Sequence, residues 1–251
     1  DRFLTYGDNA LYLYDAAADT QRLLLQWASC AIDPASVKRI ATLADGRIAV
    51  LLQEDEGAGE LAVVEEVPRD QAAEKEVITL GVLQAGNSHL LRCISQFNRH
   101  SPDCRIEIRE YYDTYLASGQ AEAKEEARTA LHMDISSGRC PDLLVLEYDD
   151  LEAYAAKGLL EDLAPYLEAD GNLELADNVI EAYTFHGKLC ALPGALQIRT
   201  LAGRADRLGE LGGATGWTLE EMMGFIDSNP DRTVFSADAG QLLEYSLVFN
   251  Q

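Results

Sequence analysis

The pattern of hydrophobic and polar positions changes near residue 68. Before it, short apolar runs recur at roughly ten-residue intervals, separated by turn-forming residues. Gly7-Asp8-Asn9 and Ala44-Asp45-Gly46 favour tight turns, because these residue types tolerate positive φ. The runs predict six strands, at residues 3–6, 10–14, 22–27, 37–43, 47–52 and 60–67. We expect residues 1–67 to form a small antiparallel all-β module (the β module), as in a sandwich, a barrel or a propeller fragment.

Residues 68–76 are charged, lack apolar periodicity and predict a linker. After them, apolar runs alternate with helical periodicity. The runs predict strands at residues 77–83, 105–111 and 142–146, and the periodicity predicts helices at 89–99, 119–137 and 149–157. This alternation is typical of a parallel or mixed sheet covered by helices, so residues 77–193 are expected to form an α/β lobe.

The helical periodicity also predicts which side chains face the core. In the first helix the inward positions are Leu90, Leu91, Ile94 and Phe97. In the second helix they are Ala127, Ala130, Leu131, Met133 and Ile135.

Further elements are predicted beyond residue 170. Residues 173–183 favour a helix, and residues 184–193 favour a hairpin that turns at His186-Gly187. Residues 196–201 form an apolar run interrupted by two polar residues. A last helix is expected to begin at Thr218 with a capping box, in which Thr218 caps the helix and Glu221 reaches back.

The net charge of −23 argues against binding to nucleic acid, because so acidic a surface repels phosphate backbones. The five cysteines are dispersed and form no C-x-x-C pair. They are interpreted as buried small apolar residues, with a Cys93–Cys104 bridge left open.

No sequence motif predicts catalysis. There is no G-x-S-x-G elbow, no P-loop and no G-x-G-x-x-G turn. The four histidines have no partners at ligand or triad spacing and are expected on the surface or in turns. Asp170-Gly171-Asn172 lacks the oxygen spacing of a calcium loop. The sequence therefore predicts a protein that is not an enzyme and holds no metal or cofactor.

Four segments, in order along residues 77–228, carry a family resemblance. They read VITLGVLQAGNSHLLRCISQFNRHSPDCRIEI, ALHMDISSGRCPDLLVLEYDDLEAYAAKGLLEDLAPYL, EAYTFHGKLCALP and GWTLEEMMGFI. They resemble the family 1 extracellular solute-binding proteins, which are the substrate-binding subunits of ABC importers. In the β module, YGDNALYLYD followed by TQRLLLQW is similar to one β-propeller blade and part of another.

The resemblance implies a periplasmic-binding-protein-like fold, in which two α/β lobes close over a ligand. Residues 77–193 would be the first lobe, and residues 194–251 would be the start of the second lobe in a chain trimmed at both ends. It also implies an extracellular protein, anchored as a lipoprotein by a signal outside this chain, that passes a small solute, a sugar, to ABC permease subunits. The alternative is a surface sensor or protein-interaction module that has lost solute binding.

Candidate ligand contacts follow from the expected sheet, because ligands of doubly wound sheets lie beyond the carboxyl ends of the strands. Amide side chains suit sugar hydroxyls, and tyrosine rings stack on the apolar face of a sugar. Two further polar residues lie where the chain would cross to the second lobe. The candidates are Gln84, Gly86, Asn87, Tyr111, Tyr112, Asp113, Glu147, Tyr148, Gln197 and Arg199.

Each candidate also has a structural interpretation. The loop around Gly86 can be an ordinary β–α turn, and one of Tyr111 and Tyr112 can belong to the core. Glu147 can cap the helix that follows it. The polar residues at 197 and 199 can be the solvent-facing positions of a strand.

Overall fold

The computed structural model describes residues 2–7, 9–53, 58–68, 75–84, 86, 88–112, 120–171, 173–194 and 218–230. The chain divides into two compact units, Asp1–Leu192 and Pro193–Gln251. The predicted β module and α/β lobe both lie in the first unit.

The six predicted strands of the β module are present as two antiparallel three-stranded sheets. The first sheet has the order β1-β2-β3, and the second has the order β4-β5-β6. Side chains from both sheets meet in one core, with Leu11, Trp27, Ile32, Val50 and Leu52 fully or almost fully buried. The strands are β1 (Arg2–Tyr6), β2 (Ala10–Asp15), β3 (Thr20–Gln26), β4 (Val37–Thr42), β5 (Ile48–Leu52) and β6 (Glu60–Val64). Two short 3₁₀ turns, Ala28–Cys30 and Pro34–Ser36, lie between β3 and β4.

A parallel three-stranded sheet follows, as the alternating pattern predicted. Its order is β8-β7-β9, so the first strand lies in the middle. The strands are β7 (Glu76–Val82), β8 (Cys104–Glu110) and β9 (Leu143–Val145), and the helices between them are α1 (Ser88–His100) and α2 (Gln120–Ser136). The parallel pairing brings the carboxyl ends of all three strands to one edge, which we call the carboxyl edge.

A carboxylate ties β9 to the central strand. The backbone and hydroxyl of Thr79 both donate to Asp142 Oδ2, at 2.8 and 2.6 Å, and the backbone of Asp142 donates to Thr79 Oγ1 at 3.0 Å. The hydrogen bonds from the Thr79 side chain and backbone hold the pKa of Asp142 below its usual value. This bonding explains why Asp142 directly precedes the strand.

We expect Asp142→Asn to reduce stability at neutral pH and to weaken its acid dependence. A carboxyl whose pKa is lowered by folding stabilises the protein above its unfolded pKa, and this stability is lost as the pH falls through the folded pKa. The free energy of unfolding, measured in urea between pH 7 and pH 3, should therefore fall less below about pH 4 in the variant than in the wild type. Identical acid dependence in the two proteins would show that Asp142 does not contribute.

The third helix, α3 (Tyr148–Ala156), begins directly after β9 and ends as predicted at Lys157-Gly158. Gly158 has φ +67°, a left-handed conformation that favours glycine at a helix end. Helix α3 packs on the predicted hairpin, β10 (Thr184–Phe185) and β11 (Lys188–Leu189), through Leu151, Ala155 and Cys190.

The helices between α3 and the hairpin differ from the prediction in two ways. The predicted helix at 173–183 is shorter, α5 (Asp177–Ala182), and a helix that was not predicted, α4 (Ala164–Asp170), precedes it. Asp162 explains the second difference, because its Oδ1 accepts from the backbones of both Ala164 and Leu189, at 3.1 Å each. It therefore joins the first residue of α4 to the hairpin.

The described part of the second unit contains one helix, α6 (Leu219–Asp227). The predicted capping box is present: Thr218 Oγ1 accepts from the Glu221 backbone at 3.2 Å, and Glu221 accepts from the Thr218 backbone at 2.8 Å. None of the described helices is long and apolar enough to cross a membrane.

The β module is docked on α1. The backbone carbonyls of Ala28, Ala31 and Ile32, at and after the first 3₁₀ turn, lie 2.9, 3.2 and 2.8 Å from polar atoms of Asn98, Arg99 and Ser95, respectively. Polar side chains of α1 thus contact three backbone carbonyls at and after this turn. Ala28 is fully buried in the same cluster as Leu80, Val82, Leu91, Ile94 and Ile108. The β module and the parallel sheet therefore share a core.

This docking corrects the predicted inward face of α1. Leu91 and Ile94 are buried as expected, but Phe97 is 39% exposed, and the buried positions include Ser95 and Asn98. In α2, Ala127 and Leu131 are buried, whereas Ala130 and Met133 are exposed.

The cysteines also differ from their expected burial. Cys190 alone among the five is buried, and all five are free thiols, including Cys93 and Cys104.

Candidate functional site

The carboxyl edge brings three of the predicted site positions together. Val82 pairs with Glu110 on one side and with Val145 on the other. Gln84, Tyr112 and Glu147 each follow two residues later, so all three leave the sheet at the same edge. Tyr112 donates its backbone N–H to Leu83 at 2.8 Å, which extends the pairing beyond the strands and holds Tyr112 beside the β7 exit.

Among the described residues at this edge, Tyr148 has the most exposed aromatic side chain. It is the first residue of α3, and 55% of its surface is exposed. Its ring lies 6.4 Å from that of Tyr183 and 6.1 Å from that of Phe185, centroid to centroid. These distances are typical of aromatic contacts, so two rings support one side of Tyr148 and leave the rest of its ring accessible.

Glu147 is engaged by two cations. Its carboxylate accepts from Lys124 Nζ at 2.7 and 2.8 Å and from Arg128 Nη2 at 3.2 Å. Arg128 also pairs with Asp150 at 3.0 Å, so the cluster joins α2 to the start of α3. Glu147 is the N-cap residue of α3, but its side chain makes no capping hydrogen bond. The capping interpretation of its side chain was therefore wrong.

Tyr111 is contacted by two charged side chains, those of Asp134 and Arg109. Its hydroxyl donates to Asp134 Oδ2 at 3.0 Å, and the Arg109 guanidinium lies 6.0 Å from the centre of its ring. Partial burial and the hydrogen bond to Asp134 raise the pKa of Tyr111. The Asp134 carboxyl accepts from Arg139 and from Tyr111, and these bonds lower its pKa. Tyr111 and Tyr112 are both half-buried. The hydroxyl of Tyr111 already donates its hydrogen bond to Asp134.

The remaining candidates divide into two groups. Gly86 lies on the exposed loop between β7 and α1. Asn87, Asp113, Gln197 and Arg199 lie outside the described residues. No cluster of three or more His, Cys, Asp or Glu side chains in the described part of the chain could hold a metal ion.

The contacts of Tyr148 with two other aromatic rings were not predicted from the sequence. Tyr183 and Phe185 belong to the segment EAYTFHGKLCALP, which was interpreted only as a hairpin and as part of the family resemblance. The available signal was the recurrence of aromatic residues at the start of this hairpin. Lys124 and Arg128 were also missed, although their spacing of four residues places them on one face of a helix.

A model of the bacterial extracellular solute-binding protein family matches residues 110–250, more than half of the chain. A search of curated proteins returns no match. One similar solved structure is the galacto-N-biose-/lacto-N-biose I-binding protein of the ABC transporter from Bifidobacterium longum, in complex with lacto-N-biose. It is 24% identical, with a TM-score of 0.34, over 46% of this chain and 27% of that chain.

A second similar structure is an ABC substrate-binding protein from Listeria monocytogenes in complex with cycloalternan. It is 21% identical, with a TM-score of 0.37, over 66% of this chain and 40% of that chain. The chain thus spans less than half the length of either protein.

Proposed function

The chain belongs to the bacterial extracellular solute-binding proteins, and we propose that it captures a carbohydrate for import by an ABC transporter. In this proposal the solute binds at the carboxyl edge, two lobes close around it, and membrane permease subunits receive the closed form. A lipoprotein anchor would hold the protein at the outer face of the membrane.

The observation that carries the proposal is the exposed ring of Tyr148 at the carboxyl edge. Tyr183 and Phe185 support this ring, so it can stack against the apolar face of a sugar without first having to be ordered. Polar groups that could bind sugar hydroxyls lie at the same edge, on Gln84 and Tyr112. A combination of an aromatic face with a few placed polar groups is typical of small-molecule sites.

The proposal assigns different roles to the other candidates. Glu147 is expected to position α2 and α3 through Lys124 and Arg128 and to bind solute with its remaining lone pairs. Tyr111 is expected to offer its ring rather than its hydroxyl. Gly86 would let the solute approach the backbone. Asn87, Asp113, Gln197 and Arg199 stay in the proposal as polar contacts.

We expect Tyr148→Ala to weaken carbohydrate binding by about tenfold or more, a loss of about 1.4 kcal/mol. Calorimetric titration of the full-length protein with maltotriose, cellotriose, xylotriose and galactobiose would measure it. Tyr148→Phe keeps the ring and should bind within about threefold of the wild type.

Tyr166→Ala is the matched control. Tyr166 is 62% exposed on α4, and its hydroxyl donates to Glu161 at 3.0 Å. If Tyr148→Ala binds as tightly as Tyr166→Ala, the assignment of this site is wrong. If no carbohydrate binds the wild type, the sensor or protein-interaction alternative takes its place.

A further inference from the structure

The second 3₁₀ turn of the β module lies beside the loop that follows β7. Asp33, Pro34 and Ala35 face Gly86 and Ser88 across a cavity of about 160 Å³, with Leu91 also lining it. Gly86 leaves the parallel sheet at the carboxyl edge, where the solute site is proposed. The cavity therefore has one wall from the β module and one from the α/β lobe.

The wall from the β module is fixed in place. Asp33 Oδ1 accepts from the Ala35 backbone at 3.0 Å, and Ser36 Oγ donates to the Asp33 carbonyl at 2.7 Å. The Ser36 carbonyl accepts from the Gln53 backbone at 2.8 Å, which ties the turn to the end of β5. Ser36 is buried.

The docking of the β module on α1 fixes the opposite wall relative to the first. Asn98 bonds the Ala28 carbonyl at 2.9 Å and both backbone groups of Ile106, at 2.9 and 2.7 Å. Because α1 begins at Ser88, a shift of the β module on α1 would also move the cavity wall. The two walls form one preorganised surface, which reduces the ordering cost of binding.

We propose that the turn at Asp33–Ala35 forms one wall of the solute site and determines which carbohydrates fit there. This inference rests on the proposed function and adds to it a specificity-determining role for the β module. Pockets that bury whole drug-sized ligands measure about 300–1,000 Å³, so this cavity accommodates one end of a solute. The Asp33 carboxylate can accept hydrogen bonds from sugar hydroxyls, while Pro34, which is partly exposed, offers apolar surface.

The test is Ala35→Trp, which fills the cavity from an exposed position on its rim. We expect the affinity of the full-length protein for its best trisaccharide, maltotriose, cellotriose or xylotriose, to fall by about tenfold or more. Ala18→Trp is the matched control, since Ala18 is also exposed, on the β2–β3 turn, and does not line the cavity. Its affinity should stay within about twofold of the wild type.

Asp33→Asn provides a second variant that does not depend on tolerance of a large side chain. Asn is as good an N-cap residue as Asp, so the turn should be kept. Loss of the charged acceptor should weaken binding by about threefold or more, because hydrogen bonds to charged groups are the stronger ones.

The outcomes separate this inference from the proposed function. If Tyr148→Ala loses binding while Ala35→Trp and Asp33→Asn bind like Ala18→Trp, the β module forms no part of the site and the proposed function stands. If none of the sugars binds the wild type, both proposals are overturned. Weaker binding in Ala35→Trp and Asp33→Asn, with the wild-type melting temperature retained, is the result that supports the inference.

Discussion

Asn98→Ala is expected to lower the free energy of unfolding by about 3 kcal/mol. Asn98 is buried, and its amide donates to the Ala28 and Ile106 carbonyls and accepts from the Ile106 backbone. Its removal leaves one buried and two partly buried backbone groups without this partner. Each such loss costs about 1–3 kcal/mol for a buried group where no other partner replaces it. The Ala28 carbonyl also accepts from Ala31 at 3.0 Å, which limits the cost at that group.

Urea unfolding at equilibrium measures this effect as a lower midpoint with little change in slope. Gln96→Ala is the control, because Gln96 is an exposed neighbour on the same helix and should change stability by less than about 0.5 kcal/mol. A loss of under about 1 kcal/mol in Asn98→Ala would contradict the claim that this side chain holds the β module on the lobe.

Gly81→Ala is expected to destabilise the parallel sheet by about 2 kcal/mol. A methyl group at Gly81, in the central strand β7, would lie 2.7 Å from Pro141 Cγ and 3.0 Å from Leu144 Cδ2. The Pro141 ring is rigid, so β9 would have to move away from β7. Overpacking of this kind costs about 1–3 kcal/mol, and it is only partly offset by the smaller entropy loss of Ala relative to Gly.

Gly7→Ala is the matched control for this prediction. Nothing lies within 4 Å of a methyl group placed at Gly7, so its stability should be unchanged or slightly higher. Hydrogen exchange should become faster in β9 of Gly81→Ala, since its pairing with β7 is weakened. Equal unfolding midpoints for the two variants would show that the strands can separate without cost.

The helix α1 shows both what the sequence predicts and where it fails. Its bounds and two of its buried residues follow from apolar periodicity, because Leu91 and Ile94 face the parallel sheet. The periodicity also predicted burial of Phe97, whereas Asn98 is buried in its place. Asn98 faces the carbonyls of a turn about seventy residues earlier in the chain. Such long-range pairing leaves no trace in local hydrophobicity.

The sequence predicted best those features whose interacting residues are close to one another in the chain. The turn at His186-Gly187 and the capping box at Thr218 and Glu221 involve residues within a few positions of one another, and both are confirmed. Helix α4 was missed because its start depends on Asp162, which also bonds the Leu189 backbone. Exposure of Met133 at 64% likewise depends on which elements cover α2.

The carboxyl edge could be predicted from the sequence, but the contacts of the side chains there could not. The rule that ligands lie beyond the carboxyl ends of parallel strands required only the strand positions, and these were correct to within a few residues. The partners of each side chain were not predictable. Glu147 meets cations from a helix about twenty residues earlier, and Tyr148 meets rings from a hairpin about thirty-five residues later.

The most direct test of the central claim is a thermal-shift screen of the full-length protein against neutral oligosaccharides, short peptides, amino acids and inorganic anions. A ligand that binds the folded state alone stabilises it by about 2.7 kcal/mol at a concentration one hundred times its Kd. We expect that an oligosaccharide raises the melting temperature and that Tyr148→Ala removes this rise. A rise with peptides, amino acids or anions, and none with any oligosaccharide, would contradict it.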